Sequence, residues 1–167
     1  MEAKDFAKLS PSDGAVTLRS LARRFRSSLR PTDDDNLDEF ARRVGSGGSA
    51  PIDHLVDASR SVALLHESLR KMLREHQPVL APGVTDTSAR AWPGEPGSLE
   101  DELDLLGTEA EAFAVTVERA GSDAWSRTAT VAGGDELTAL DVLREAVRTA
   151  ITDLRAADQV MTEVRRS

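Results

Sequence analysis

The three histidines of the chain, His54, His66 and His76, all fall in one segment with helical periodicity, residues 50–76. Imidazole is the side chain best suited to acid–base chemistry near neutral pH and is a common ligand of zinc and nickel. His66 and His76 follow His54 by twelve and twenty-two residues, too far to share one ion with it at ~1.5 Å per residue of helix. We therefore expect them to be surface groups, and any histidine site to be built around His54.

An amphipathic helix over residues 50–76 must position His54. Its apolar residues recur at alternating steps of three and four, which places them on one stripe. They are Leu55, Ala58, Val62, Leu65, Leu69 and Met72. Similar stripes predict helices over residues 11–29, 98–120 and 138–165. Because four such helices, with no convincing strands, bury their stripes best against one another, we predict an all-α four-helix bundle in which residues 1–167 form a single domain.

Long, irregular connections join these helices. Residues 77–97 contain four prolines and three glycines. A connection of this length is unusual between packed helices, and we expect it to cross the bundle lengthwise with Trp92 as its anchor on the core. Residues 122–136 form the next connection, which contains a Gly133-Gly134 turn.

Composition excludes several classes of protein. There is no cysteine, so thiolate ligands, a cysteine nucleophile and a disulfide-stabilised fold are all excluded. A net charge of −8 argues against nucleic-acid binding, which needs a basic surface. No basic leader precedes an apolar run, and no apolar stretch approaches the ~18 residues of a membrane span. We expect a soluble cytoplasmic protein with neither nucleic acid nor membrane as a partner.

Asp158 interrupts the apolar stripe of the last helix, between Leu154 and Met161. An unpaired buried carboxylate is costly, so Asp158 must lie at an exposed edge or have a specific partner. If the second and fourth helices run antiparallel, His54 lies level with a residue about one turn from the end of the fourth helix. A His54–Asp158 ion pair is therefore one interpretation of both residues, and it needs no metal.

Two parts of the chain resemble the DinB-like helical-bundle superfamily, which includes the mycothiol-dependent maleylpyruvate isomerases and the bacillithiol transferases. One is Asp53-His54-Leu55-Val56-Asp57-Ala58-Ser59-Arg60. The other runs from Ala124-Trp125-Ser126-Arg127 through Thr130-Val131-Ala132-Gly133-Gly134 to Leu137-Thr138-Ala139-Leu140-Asp141-Val142-Leu143-Arg144-Glu145-Ala146-Val147. The resemblance implies a four-helix bundle with a long middle crossover, which suits residues 77–97.

The same resemblance implies a divalent-metal site of three histidines, one on the second helix and two spaced by four on the fourth. His54 matches the first position, and the other two fall at Thr149 and Asp153. Threonine is a poor ligand, whereas Asp153 can offer an oxygen. On a helical wheel both lie away from the apolar stripe, so either this alignment is shifted or they face outward. The candidate ligands are therefore His54 with Asp153, which the resemblance implies, or with Asp158, which antiparallel packing would bring near His54.

Two functions remain for such a site. The first is a non-catalytic binding or interaction module, a homodimer with a degenerate metal site and no cofactor. The alternative is a metal-dependent thiol S-transferase or isomerase, in which zinc or nickel holds a small-molecule thiol as thiolate. The missing histidines favour the first. The missing cysteine fits the alternative, because the thiol would come from a small-molecule ligand.

Overall fold

The computed structural model describes residues 3–32, 34 and 36–167. In chain order its helices and strands are α1 (Ala3–Phe6), α2 (Pro11–Leu29), α3 (Asn36–Arg42), α4 (Pro51–Arg74), β1 (Val79–Leu80), α5 (Leu99–Arg119), β2 (Thr128–Val131), β3 (Glu136–Thr138) and α6 (Ala139–Arg166). The bounds of α2, α4, α5 and α6 differ from the predicted ones by at most two residues. Among the helices described, none combines the length and apolar character needed to cross a membrane.

Side-chain caps set the starts of three long helices. Ser10, Ser98 and Thr138 precede α2, α5 and α6, and each hydroxyl accepts a hydrogen bond from the backbone N–H three residues further on. Such caps satisfy an N–H group that has no acceptor within the helix. Helix α4 starts differently, because the Asp53 carboxylate accepts from the Ala50 N–H at 2.8 Å. This contact holds the first turn of α4, which carries His54.

The predicted four-helix bundle is confirmed. Helices α2 and α4 each pack against both α5 and α6, around an aliphatic core in which Phe25 and Phe113 are the largest fully buried side chains. Helix α4 runs antiparallel to α6, so its first turns face the second half of α6. Helices α4 and α5 run parallel, because Arg60 lies beside Glu102 while a later α4 residue, His66, contacts Thr116.

Parallel neighbours need a connection that returns along the whole bundle, and residues 75–98 provide it. Val79 pairs with β2 near the end of α4, Arg90 contacts Ser61 in the middle of α4, and Gly97 contacts Glu102 at the start of α5. We call residues 75–98 the crossover. It covers the groove between α4 and α6 and forms one wall of the candidate site.

A small sheet was not predicted. Strand β2 pairs parallel with β1 and antiparallel with β3, so that Thr130 lies between Val79 and Glu136. The β2–β3 hairpin turns at Gly133 and Gly134, whose φ angles of 113° and 111° disfavour other residues. Strands of two to four residues are too short to show the period of two from which a strand is predicted.

Candidate metal centre

Three side chains with metal-binding groups converge where the first turns of α4 face α6. One ring nitrogen of His54 and one carboxylate oxygen each of Asp57 and Asp153 lie within 4.8 Å of one another, and all three residues are half-buried. His54 and Asp57 are three residues apart and therefore project from the same face of α4. The antiparallel packing of α6 brings Asp153 to the same level.

Asp153 is held in an environment that disfavours its charged form. Burial, followed by the nearby charge of Asp57, raises its pKa to about 7, while Arg90 and Arg148 act in the opposite direction. Its Oδ2 atom is buried and has no hydrogen-bond partner among the described residues. A carboxylate oxygen in this state is poorly solvated unless a cation or a proton reaches it.

The pKa of Asp57 is raised as well. Burial is the largest cause of its raised pKa, with Asp53 adding to it, whereas the charge of His54 and a hydrogen bond from Trp92 lower it. Trp92 was predicted to anchor the crossover on the core, but it is half-buried and its indole instead contacts Asp57. The crossover thus supplies a donor that orients one of the three candidate ligands.

Contacts outside the cluster also orient His54. Its Nε2 lies 2.9 Å from the hydroxyl of Ser49, which lies two residues before the start of α4. A hydrogen bond at one ring nitrogen fixes the ring plane and leaves the other nitrogen available, which is the usual arrangement for a metal-binding histidine.

A buried arginine joins the crossover to the site. The Arg90 side chain is 4% exposed, and its guanidinium donates to the carbonyl oxygens of Gly83 and Val84, the hydroxyls of Ser61 and Thr149, and the Glu145 carboxylate. Thr149 is 7% exposed.

The alternative that Thr149 and Asp153 face outward is therefore wrong. The helical wheel did not show that the crossover covers this flank of α6, so that residues beside the apolar stripe are buried too. Thr149 occupies the second implied histidine position, but its hydroxyl is engaged by Arg90 and by Glu145.

The predicted His54–Asp158 ion pair does not form. Asp158 is exposed, and the buried face of α6 continues instead through Leu154, Ala157 and Met161. Helix α6 extends beyond the start of α4, and its last turns pack against the segment before α4, where Glu163 accepts from the Ser46 N–H. His54 therefore lies level with Asp153. The predicted ligand Asp158 is not part of the cluster.

The prediction that the other two histidines are surface groups was wrong for His66. That residue is 8% exposed, its Nε2 lies 2.7 Å from the Thr116 hydroxyl, and its ring stacks on Phe113 with centroids 5.0 Å apart. Burial is the main cause of its lowered pKa. His76 is exposed, as predicted.

The sequence did not single out Asp57 as a ligand. The signal was present in the spacing of His54 and Asp57, which puts both on one helix face. One imidazole nitrogen and two carboxylate oxygens form a donor set that zinc accepts, and Oδ2 of Asp153 has no hydrogen-bond partner among the described residues. These residues therefore fit a divalent ion.

A cavity of about 270 Å³ adjoins this cluster. Its walls are Asp53, Val56, Asp57 and Arg60 from α4 and residues 92–96 of the crossover. Asp57 belongs to both the cluster and the cavity, so a molecule in the cavity would lie next to an ion held by the cluster.

No protein-family model matches the sequence, and no curated protein matches it either. Among solved structures, the fold is similar to that of YfiT from Bacillus subtilis, described as a probable metal-dependent hydrolase with an unusual four-helix bundle topology. The TM-score is 0.67 at 14% sequence identity, over 99% of this chain and 89% of that one. The likeness establishes the shared fold.

Proposed function

We propose that this protein holds one divalent ion, with zinc as the best fit, through His54, Asp57 and Asp153 and uses it to hydrolyse a small substrate. The observation that carries the proposal is the Asp153 carboxylate, whose Oδ2 is buried without a hydrogen-bond partner in the described part of the chain. A cation held between the histidine and the two aspartates would satisfy this carboxylate.

The chain's own residues would orient the ligands and adjust their charge. Ser49 fixes the His54 ring, and Trp92 donates to Asp57. Arg90 and Arg148 partly offset the charge of Asp153. With His54, Asp57 and Asp153 as its protein ligands, a zinc ion would have a coordination position left for solvent or substrate, and it would supply a bound water of lowered pKa and a Lewis acid for a substrate oxygen.

Hydrolysis is favoured over thiol transfer by the description of YfiT, which shares this fold, as a probable metal-dependent hydrolase. The non-catalytic module is the second candidate. It is favoured by Thr149, which lies where the resemblance implies a metal-binding histidine. The Thr149 hydroxyl instead accepts a hydrogen bond from Arg90. The predicted homodimer stays a prediction.

Calorimetric titration of untagged protein with zinc and nickel tests the metal centre. We expect one site per chain, and replacement of a ligand by His54→Ala, Asp57→Asn or Asp153→Asn should weaken zinc binding by about 100-fold or more. Asp158→Asn and His76→Ala are matched controls at an exposed aspartate of α6 and an exposed histidine, and both should bind zinc as the wild type does. Absence of binding by the wild type would overturn the proposal and leave the non-catalytic module.

The reaction class is tested on the zinc-loaded protein. Hydrolysis of 4-nitrophenyl acetate should exceed that of the apoprotein and fall to the apoprotein level in Asp153→Asn. A zinc-loaded protein that hydrolyses no ester or amide probe, but transfers an added low-molecular-weight thiol to an electrophile, would replace hydrolysis by the thiol-transfer alternative.

A further inference from the structure

The cavity beside the cluster contains an arginine whose guanidinium makes no hydrogen bond to the described residues. Arg60 follows Asp57 by one turn of α4, and both line the cavity. The nearest carboxylate oxygen is Oε1 of Glu102 at 3.8 Å, beyond hydrogen-bond distance, and that oxygen already accepts from the Gly97 N–H at 3.0 Å. The Arg60 side chain is 36% exposed, so its donors are accessible to a small molecule.

Three carboxylates also line this cavity. Asp57 is one of the three ligands of the proposed ion. Asp53 uses Oδ2 to accept from the Ala50 N–H, and Glu95 is exposed on the crossover. Without an ion, the acidic residues outnumber Arg60 and the lining repels anions. A divalent ion offsets the charges of its two carboxylate ligands, Asp57 and Asp153, which leaves Asp53 and the exposed Glu95 beside Arg60. The cationic groups that face the cavity are then the ion and Arg60.

Resting on the metal centre proposed above, we propose that the cavity binds a small carboxylate-bearing substrate. An oxygen of its reacting group lies on the ion, and its carboxylate pairs with the Arg60 guanidinium. Arginine binds a carboxylate through two parallel N–H···O bonds, which fix orientation as well as position. Asp57 and Arg60 are separated by ~4.5 Å along the helix axis, and a volume of about 270 Å³ is small for a ligand site. Both values suit a compact acid of about four or five carbons.

A purely structural role for Arg60 is the competing explanation. Glu102 is 5% exposed, its Oε2 has no hydrogen-bond partner among the described residues, and Arg60 is the nearby cation. Arg60→Gln could therefore destabilise the protein by leaving a buried charge unpaired. The double variant Arg60→Gln/Glu102→Gln removes both charges and keeps the test valid if the single variant does not fold.

The test compares succinate with butyrate, which has the same number of carbons but one carboxylate. Zinc affinity is measured first for the wild type, Arg60→Gln, Arg60→Lys and the double variant. Each zinc-loaded protein is then titrated with the two acids, and the wild type is also titrated without zinc. We expect the zinc-loaded wild type to bind succinate at least about tenfold more tightly than butyrate, because a second, bidentate ion pair forms.

Arg60→Gln and the double variant should lose this preference while their zinc affinity stays within about twofold of the wild type, and Arg60→Lys should retain part of it. The apoprotein should bind neither acid. Equal binding of both acids by the zinc-loaded wild type, or a preference that survives Arg60→Gln or the double variant, would overturn the carboxylate proposal and leave the metal centre intact. A wild type that binds no zinc would overturn both.

Discussion

His54 and His66 lie on the same helix and differ in how completely their surroundings satisfy them. His66 is buried, bonded to Thr116 and stacked on Phe113. His54 is half-buried beside two carboxylates of raised pKa, one of which has a buried oxygen without a partner among the described residues. A structural histidine is satisfied by the fold itself. A cluster whose polar groups the fold leaves without partners lowers the stability of the protein, and a functional role explains why such a cluster is kept.

The largest contrast is expected in stability. His66→Ala removes a buried ring and leaves a cavity against Phe113, so it should lower the free energy of unfolding by about 2–3 kcal/mol. His54→Ala removes one hydrogen bond to Ser49 and should cost the apoprotein less than about 1 kcal/mol. Urea denaturation of both variants without metal measures the difference. Equal losses would remove the distinction between the two histidines.

Asp153→Asn should stabilise the apoprotein at pH 8 by about 2 kcal/mol, because it removes a buried charge. The folded-state pKa of about 7 lies above the ordinary value of 3.8, so ionisation of Asp153 destabilises the folded state increasingly between those values and fully above them. The gain should therefore shrink towards pH 4. Asp158→Asn, at an exposed position, should change stability little at either pH. A loss of stability in Asp153→Asn at pH 8 would contradict this description of the site.

His66 should add a smaller pH dependence of opposite direction. Its folded-state pKa is lowered mainly by burial, with Arg70 lowering it further and Glu67 opposing. The neutral ring is thus favoured by folding, so its contribution is complete above the unfolded value of about 6.5 and is lost as pH falls below it. The stability difference between wild type and His66→Gln should decrease by about 1 kcal/mol from pH 7 to pH 5. A constant difference would show that His66 does not titrate on unfolding.

The smallest expected effect is spectroscopic. Trp92 contacts Asp57, whereas Trp125 packs against the core elsewhere. In a Trp125→Phe background, zinc should change the Trp92 emission, and His54→Ala should abolish the change while His66→Gln preserves it. An emission change that persists in His54→Ala would place the ion away from this cluster.

The bundle could be predicted because its signals are long and periodic. Stripes of five or more turns define α4 and α6 whatever surrounds them, and Ser98 and Thr138 mark helix starts through their own side-chain bonds. The sheet could not be predicted in this way. Its strands are short, and β1 pairs with β2 across about fifty residues of chain, so neither strand carries a local signal.

The site was only partly predictable. The resemblance supplied His54 and Asp153, but the ligand role of Asp57 depends on which face of α4 meets α6. Arg90 shows no pattern in the sequence, because a crossover residue buried between two helices looks like any loop arginine. The helical wheel suggested that Thr149 faces outward because it treats α6 as an isolated helix. It does not include the crossover, which covers the side of α6 that carries Thr149.

The most direct test of the metal centre is anomalous diffraction at the zinc edge from crystals of the zinc-loaded protein. We predict one peak per chain, bounded by a ring nitrogen of His54 and carboxylate oxygens of Asp57 and Asp153 at about 2.0–2.2 Å. A peak at His76, or zinc-loaded crystals with no peak among these three residues, would contradict the account.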